Sequence, residues 1–119
     1  MTHLTVEPEL IPTPSESGQG QMIARCSKCR VAIWSNYSGA GPILRFVRVG
    51  TLDQPDHVPP SIHIYTSTKQ PWVILNTDVP VCEEYYEIEK TWPLESLERR
   101  KLYLPKVQAY KAERQATST

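Results

Sequence analysis

Eleven prolines spread from Pro8 to Pro105 set the first limit on what this chain of 119 residues can fold into. Each proline fixes its own φ and removes a backbone donor, so the pattern favours many turns and short strands over long helices. Hydrophobic content of 39% and a mean hydropathy of -0.42 leave room for one modest core in a chain of this length.

Charge excludes some classes of partner. Thirteen basic and thirteen acidic residues give a formal net charge of +0, so the chain as a whole has no electrostatic reason to favour nucleic acid or an anionic membrane. Met1 to Leu10 contains two glutamates and no apolar core, unlike a signal peptide. No apolar run is long enough to span a bilayer. The expectation is a soluble intracellular protein, cytoplasmic or nuclear, with no nucleic-acid or membrane partner.

Residues 1–20 read as a polar lead, with a short strand at Leu4–Val6 or near Leu10-Ile11 and a loop from Pro12 to Gly20. Strands are expected at Met22–Arg25 and Val31–Trp34, then a turn across Asn36–Gly41. Leu44–Val49 is the clearest strand by its β-branched and aromatic content, and Ile62–Thr66 is the next. Trp72–Leu75 is a short apolar run. The tail changes character: Pro93 suits a first helical position, Leu94 and Leu97 recur at helical spacing, and Glu95 and Arg99 stand four apart. Pro105 is expected to end that helix, with a second helix over Val107–Ala116. The organisation expected is 1–20 lead, 21–104 domain and 105–119 helical or disordered tail.

Three cysteines cannot all pair, which argues against a secreted disulfide framework. Cys26 and Cys29 form a C-x-x-C turn from which two sulfurs can reach one tetrahedral zinc, and Arg25, Lys28 and Arg30 flank it with charge that favours thiolates. A thioredoxin-type redox pair normally opens a helix, whereas Val31-Ala32-Ile33-Trp34 follows here as a strand. Zinc ligands and two unliganded thiols both stay open on spacing alone. A structural zinc needs four ligands, and His3, His57, His63 and Cys82 show no spacing that resembles a second pair. Cys82 reads as an ordinary packed thiol.

Other candidates carry less. His63 and Tyr65 fall on one strand face and could line a substrate pocket, but no second acid–base partner is evident beside them. Lys69 and Trp72 could meet a carboxylate and a thiol adduct, and Arg45 and Arg48 an anion. Glu83, Glu84, Glu87 and Glu89 read most simply as a solvated face.

Several segments in order resemble the Gfa-like domain shared by glutathione-dependent formaldehyde-activating enzyme and centromere protein V. They are Arg25-Cys-Ser-Lys-Cys-Arg-Val-Ala-Ile-Trp-Ser, Phe46-Val-Arg-Val-Gly-Thr-Leu-Asp, Pro59-Pro, His63-Ile-Tyr-Thr-Ser-Thr-Lys-Gln-Pro-Trp, Glu84-Tyr-Tyr and Trp92-Pro-Leu-Glu-Ser-Leu-Glu-Arg-Arg. The resemblance covers about residues 6–102. It implies a mainly β fold: Mss4-like antiparallel sheets around a zinc knuckle, here incomplete, with a C-terminal helix. It implies carbon–sulfur lyase chemistry on glutathione–formaldehyde adducts, and zinc as the cofactor, with Cys26 and Cys29 as two of four structural ligands.

The sequence departs from the family pattern before Cys26, where there is no cysteine. The family places two further structural ligands and a three-cysteine cluster for a second, catalytic zinc there. The expectation is therefore a truncated member, inactive alone, with a non-catalytic zinc-binding or protein-interaction module as the alternative. Uncovered sheet edges should make the chain marginal, aggregating or dimeric. Two copies could form a homodimer that shares one zinc through both cysteine pairs.

Overall fold

The computed structural model of the chain describes residues 6–15 and 18–117, with side chains through residue 114. The chain divides into two compact units, one of residues 1–53 with 100–119 and one of residues 54–99.

The first unit holds a four-stranded antiparallel sheet of β1 (Glu9–Thr13), β2 (Gln21–Arg25), β3 (Ala32–Tyr37) and β4 (Phe46–Val47), in the order β1-β2-β3-β4. β1 lies over the expected Leu10-Ile11 site; the alternative at Leu4–Val6 falls mostly outside the described residues. The register sets Leu10 against Ala24 and Ala24 against Trp34. The fully buried Ala24 leaves room on that face for the indole opposite it, and Trp34 is buried in turn. Burial of an indole requires a partner for its N–H. Trp34 Nε1 donates to Asn36 Oδ1 at 3.0 Å, and Asn36 Nδ2 donates to the Leu44 carbonyl at 2.7 Å. Ile23 and Ser35 are buried on the opposite face.

That network explains why the strand expected over Leu44–Val49 shrinks to two residues. The Leu44 carbonyl is taken by the Asn36 side chain rather than by a ladder partner. After Val47 the backbone turns into a 3-10 turn at Val49–Thr51, where Thr51 N–H and Oγ1 both donate to the Arg48 carbonyl. The strand expected over Val31–Trp34 is instead longer, and runs through Asn36 and Tyr37 before a turn at Ser38–Ala40.

The helix α2 (Leu94–Thr117) is continuous through Pro105, which corrects the expected break there. Proline removes one helical donor and crowds the preceding turn at a cost of about 3 kcal/mol. Anchors beyond it offset that cost: Val107 is buried, Tyr110 lies against Gly41, and Arg114 donates to the Ser38 carbonyl at 3.3 Å. Residues 107, 110 and 114 share one helical face.

The second unit, residues 54–99, is built from turns, the short helix α1 (Ile88–Thr91) and the first turns of α2. The strand expected over Ile62–Thr66 is reduced to one parallel bridge between His63 and Val81. Tyr65 adopts a left-handed conformation with φ 55 that ends the extended run, and Thr66–Thr68 is a 3-10 turn. Residues 62–67 still zip onto residues 80–84. His63 N donates to Pro80 O, Cys82 N to His63 O, Tyr65 N to Glu84 O and Ser67 N to Glu83 O, all between 2.8 and 3.1 Å. Trp72–Leu75 buries little: Trp72 is 77% exposed and Ile74 94%. Arg99 donates to Ser96 Oγ at 3.1 Å, the neighbour of the Glu95 expected as its partner.

Candidate metal centre

Cys26 and Cys29 sit on the turn joining β2 to β3. The Cys26 N–H donates to the Val31 carbonyl and the Arg30 N–H to the Cys26 carbonyl, both at 2.9 Å, so the turn is closed at its base. Arg30 takes φ 68 to complete it. Cys26 is half-buried and Cys29 is exposed. The backbone N–H of Cys29, then that of Lys28, then the Cys29 side chain hydrogen-bond the Cys26 sulfur and hold its pKa below the ordinary 9.0 of a thiol, against a small opposing effect of burial.

The source of that stabilisation differs from the flanking charge expected. Arg25 directs its guanidinium to the Arg30 carbonyl at 3.0 Å, and Arg30 pairs with Glu9 at 2.6 Å. Backbone amides stabilise the thiolate in their place. C-x-x-C spacing carries that signal only when the turn is known to lie between two strands.

Two thiols fit half of a tetrahedral zinc site and not a whole one. Among the described residues, no group of three or more His, Cys, Asp or Glu stands where a metal could be held. Cys82 belongs to the other unit, half-buried. His3 lies outside the described residues, and His57 is an exposed member of a 3-10 turn.

The weaker candidates divide. His63, Tyr65 and Lys69 come together with Ile62, Ile64, Thr66 and Leu75 around an open cavity of about 270 Å³. His63 Nε2 is 2.9 Å from the Asn76 carbonyl, which can only accept, so this nitrogen carries the proton. Lys69 Nζ donates to the Val73 carbonyl at 3.1 Å. Trp72 is not part of this lining. Arg45 and Arg48, considered for an anion, are used internally: Arg45 stacks 4.1 Å from the Trp34 ring centroid and Arg48 donates to Ser35 Oγ at 3.0 Å.

A small antiparallel sheet that carries a C-x-x-C turn between two of its strands, with a C-terminal helix, defines the class. Residues 1–68 match the family of glutathione-dependent formaldehyde-activating enzyme, and the chain belongs to that family. The match takes in the whole sheet, the cysteine turn and the start of the second unit. No curated protein and no solved structure matches the chain. Among the described residues, no helix is long and apolar enough to cross a membrane.

Proposed function

We propose that this chain is a zinc-binding module of the carbon–sulfur lyase family that acts on glutathione–formaldehyde adducts, and that by itself it holds metal without turning such adducts over. The observation that carries the reading is the amide-stabilised Cys26 sulfur beside Cys29 on a closed turn between strands. Zinc binds deprotonated sulfur, so a turn that lowers the thiolate's energy before metal arrives favours capture. Zinc here would hold the turn and the ends of β2 and β3 together. The three cysteines of the chain cannot supply both this site and a three-cysteine second centre, which supports the absence of lyase turnover.

Cys26 and Cys29 leave zinc two ligands short. A second copy can supply them, giving a four-thiolate site shared by a homodimer. The test is zinc content measured together with native mass on the full chain. The expected result is one zinc per two chains in a dimer, lost in Cys26→Ser and kept in Cys82→Ser. A monomer with one zinc per chain would overturn the shared site and keep the metal turn; no zinc in any form would overturn both. Consumption of a glutathione–formaldehyde mixture should not exceed that of buffer, and turnover by the zinc-loaded chain would refute the non-catalytic reading.

A further inference from the structure

The overall neutrality of the chain conceals a segregation of charge. Residues 54–99 carry eight acidic and three basic side chains, a net charge of -5, and the other unit carries ten basic and five acidic, a net charge of +5. In the acidic unit carboxylates flank exposed aromatic rings along the chain. Glu83 and Glu84 precede Tyr85 and Tyr86, and Glu87 follows them. Tyr85 and Tyr86 stack with ring centroids 4.3 Å apart, and Tyr65 extends the row at 6.4 Å from Tyr85. Trp92 Nε1 donates to Tyr86 Oη at 2.9 Å and fixes the inner end of the row. Tyr65, at the outer end, is 39% exposed, and Tyr85, between it and Tyr86, is 46% exposed. Tyr65 also lines the 270 Å³ cavity with Ile62, Ile64, His63 and Lys69, so the row continues into a hollow of mixed polarity.

Tyr65 is one of two non-glycine residues held at positive φ among the described residues. Such a conformation is strained and persists only where its surroundings impose it. Here it is imposed by the pairing of Tyr65 N with Glu84 O and the turn that follows, and the ring is directed outward beside Tyr85.

We propose that residues 54–99 carry a docking surface for an extended, basic peptide segment of a partner protein. The exposed parts of Tyr65 and Tyr85 would receive Lys or Arg heads. Glu83 would complement their charge together with Glu87, for which the peptide would compete with the exposed Lys90 at 3.1 Å. Ile62 and Ile64 in the hollow beside Tyr65 would meet an apolar side chain of the same segment. Charge complementarity selects this occupant. Aromatic faces attract cations, neighbouring carboxylates reinforce that attraction, and a net charge of -5 repels nucleic acid and anionic lipid.

The experiment is fluorescence anisotropy on the full chain with a labelled dodecapeptide of alternating Arg and Gly, and a Glu-and-Gly peptide as control. Saturable binding of the basic peptide alone is expected, weakening as salt is raised. Tyr85→Leu, which keeps an apolar side chain and removes the ring, should weaken it about 2- to 5-fold, the range expected for an exposed cation–π contact. Glu83→Gln with Glu87→Gln should weaken it comparably, and both variants should keep the wild-type circular dichroism spectrum. Lys106→Gln with Lys111→Gln should bind as wild type. Equal binding of the two peptides, no binding, or unchanged affinity in both site variants would overturn the proposal. A concentration-dependent dimer that the basic peptide dissociates would also overturn it, by assigning the surface to a second copy.

Discussion

The ring of Tyr110 on α2 occupies the space that a side-chain carbon at Gly41 would fill. Gly41 is buried at φ 55, so two constraints meet at one residue: a left-handed backbone and a closed approach. Gly41→Ala should therefore cost about 1–2 kcal/mol for the backbone and about 1–3 kcal/mol for the displaced ring. Urea unfolding measures the total. The Gly41→Ala/Tyr110→Ala pair should be less destabilised than the sum of the single variants; strict additivity would show that the ring and the glycine act independently.

Asn36 is the pivot of the buried polar network. Asn36→Ala leaves both the Trp34 N–H and the Leu44 carbonyl without their present partner. The expected loss is about 1–3 kcal/mol, read from the urea midpoint and accompanied by a change in Trp34 fluorescence. A loss within experimental error would mean that solvent reaches the indole.

Arg30 holds φ 68 at the closing position of the cysteine turn and pairs with Glu9 on an exposed surface. Relief of left-handed strain by glycine is worth about 1–2 kcal/mol, and an exposed ion pair is worth about 0–1 kcal/mol. Arg30→Gly should thus stabilise the metal-free chain slightly, and Arg30→Val should destabilise it. An Arg30→Gly variant less stable than the wild type would place the ion pair above the backbone in importance.

Cys26 should show its environment in alkylation of the metal-free chain. Its folded pKa lies below 9.0, chiefly because backbone N–H groups stabilise the thiolate. The lowered value means that this group favours the fold at pH above the unfolded thiol's pKa, and the benefit fades as pH falls through the folded value. Below pH 9.0, iodoacetamide should modify Cys26 faster in the folded chain than in the chain unfolded by urea, as quantified by peptide mass spectrometry. Zinc should suppress the reaction. A slower folded-state rate would contradict the hydrogen-bonded thiolate.

Pro105→Ala restores a backbone donor for the Lys101 carbonyl within α2. Helical ellipticity should rise and stability should increase by about 1–3 kcal/mol. An unchanged spectrum would mean that α2 bends too sharply at this point for the bond to form.

Much of the sheet is legible in the chain. The alternation in Met22–Arg25 and Val31–Trp34, with a C-x-x-C turn between them, is local information, and β2 and β3 follow it closely. The runs at Leu44–Val49 and Ile62–Thr66 have equally good composition but are realised only as the two-residue β4 and a single bridge. Asn36 captures the Leu44 carbonyl from eight residues away, and Tyr65 leaves extended geometry where it meets Glu84. Neither event has a local signature. His63, Tyr65 and Lys69 gather at one cavity for the same reason, and Trp72, three residues beyond Lys69, stays outside it.

The cysteine spacing, the order of family segments and the turn-rich character are properties of the sequence by itself, because each depends on residues close together in the chain. The persistence of α2 through Pro105, the amide cradle of Cys26 and the row of Tyr65, Tyr85 and Tyr86 were decided by tertiary structure. In each case a group distant in the chain, or a backbone orientation set by the sheet, supplies the interaction that outweighs or redirects the local preference.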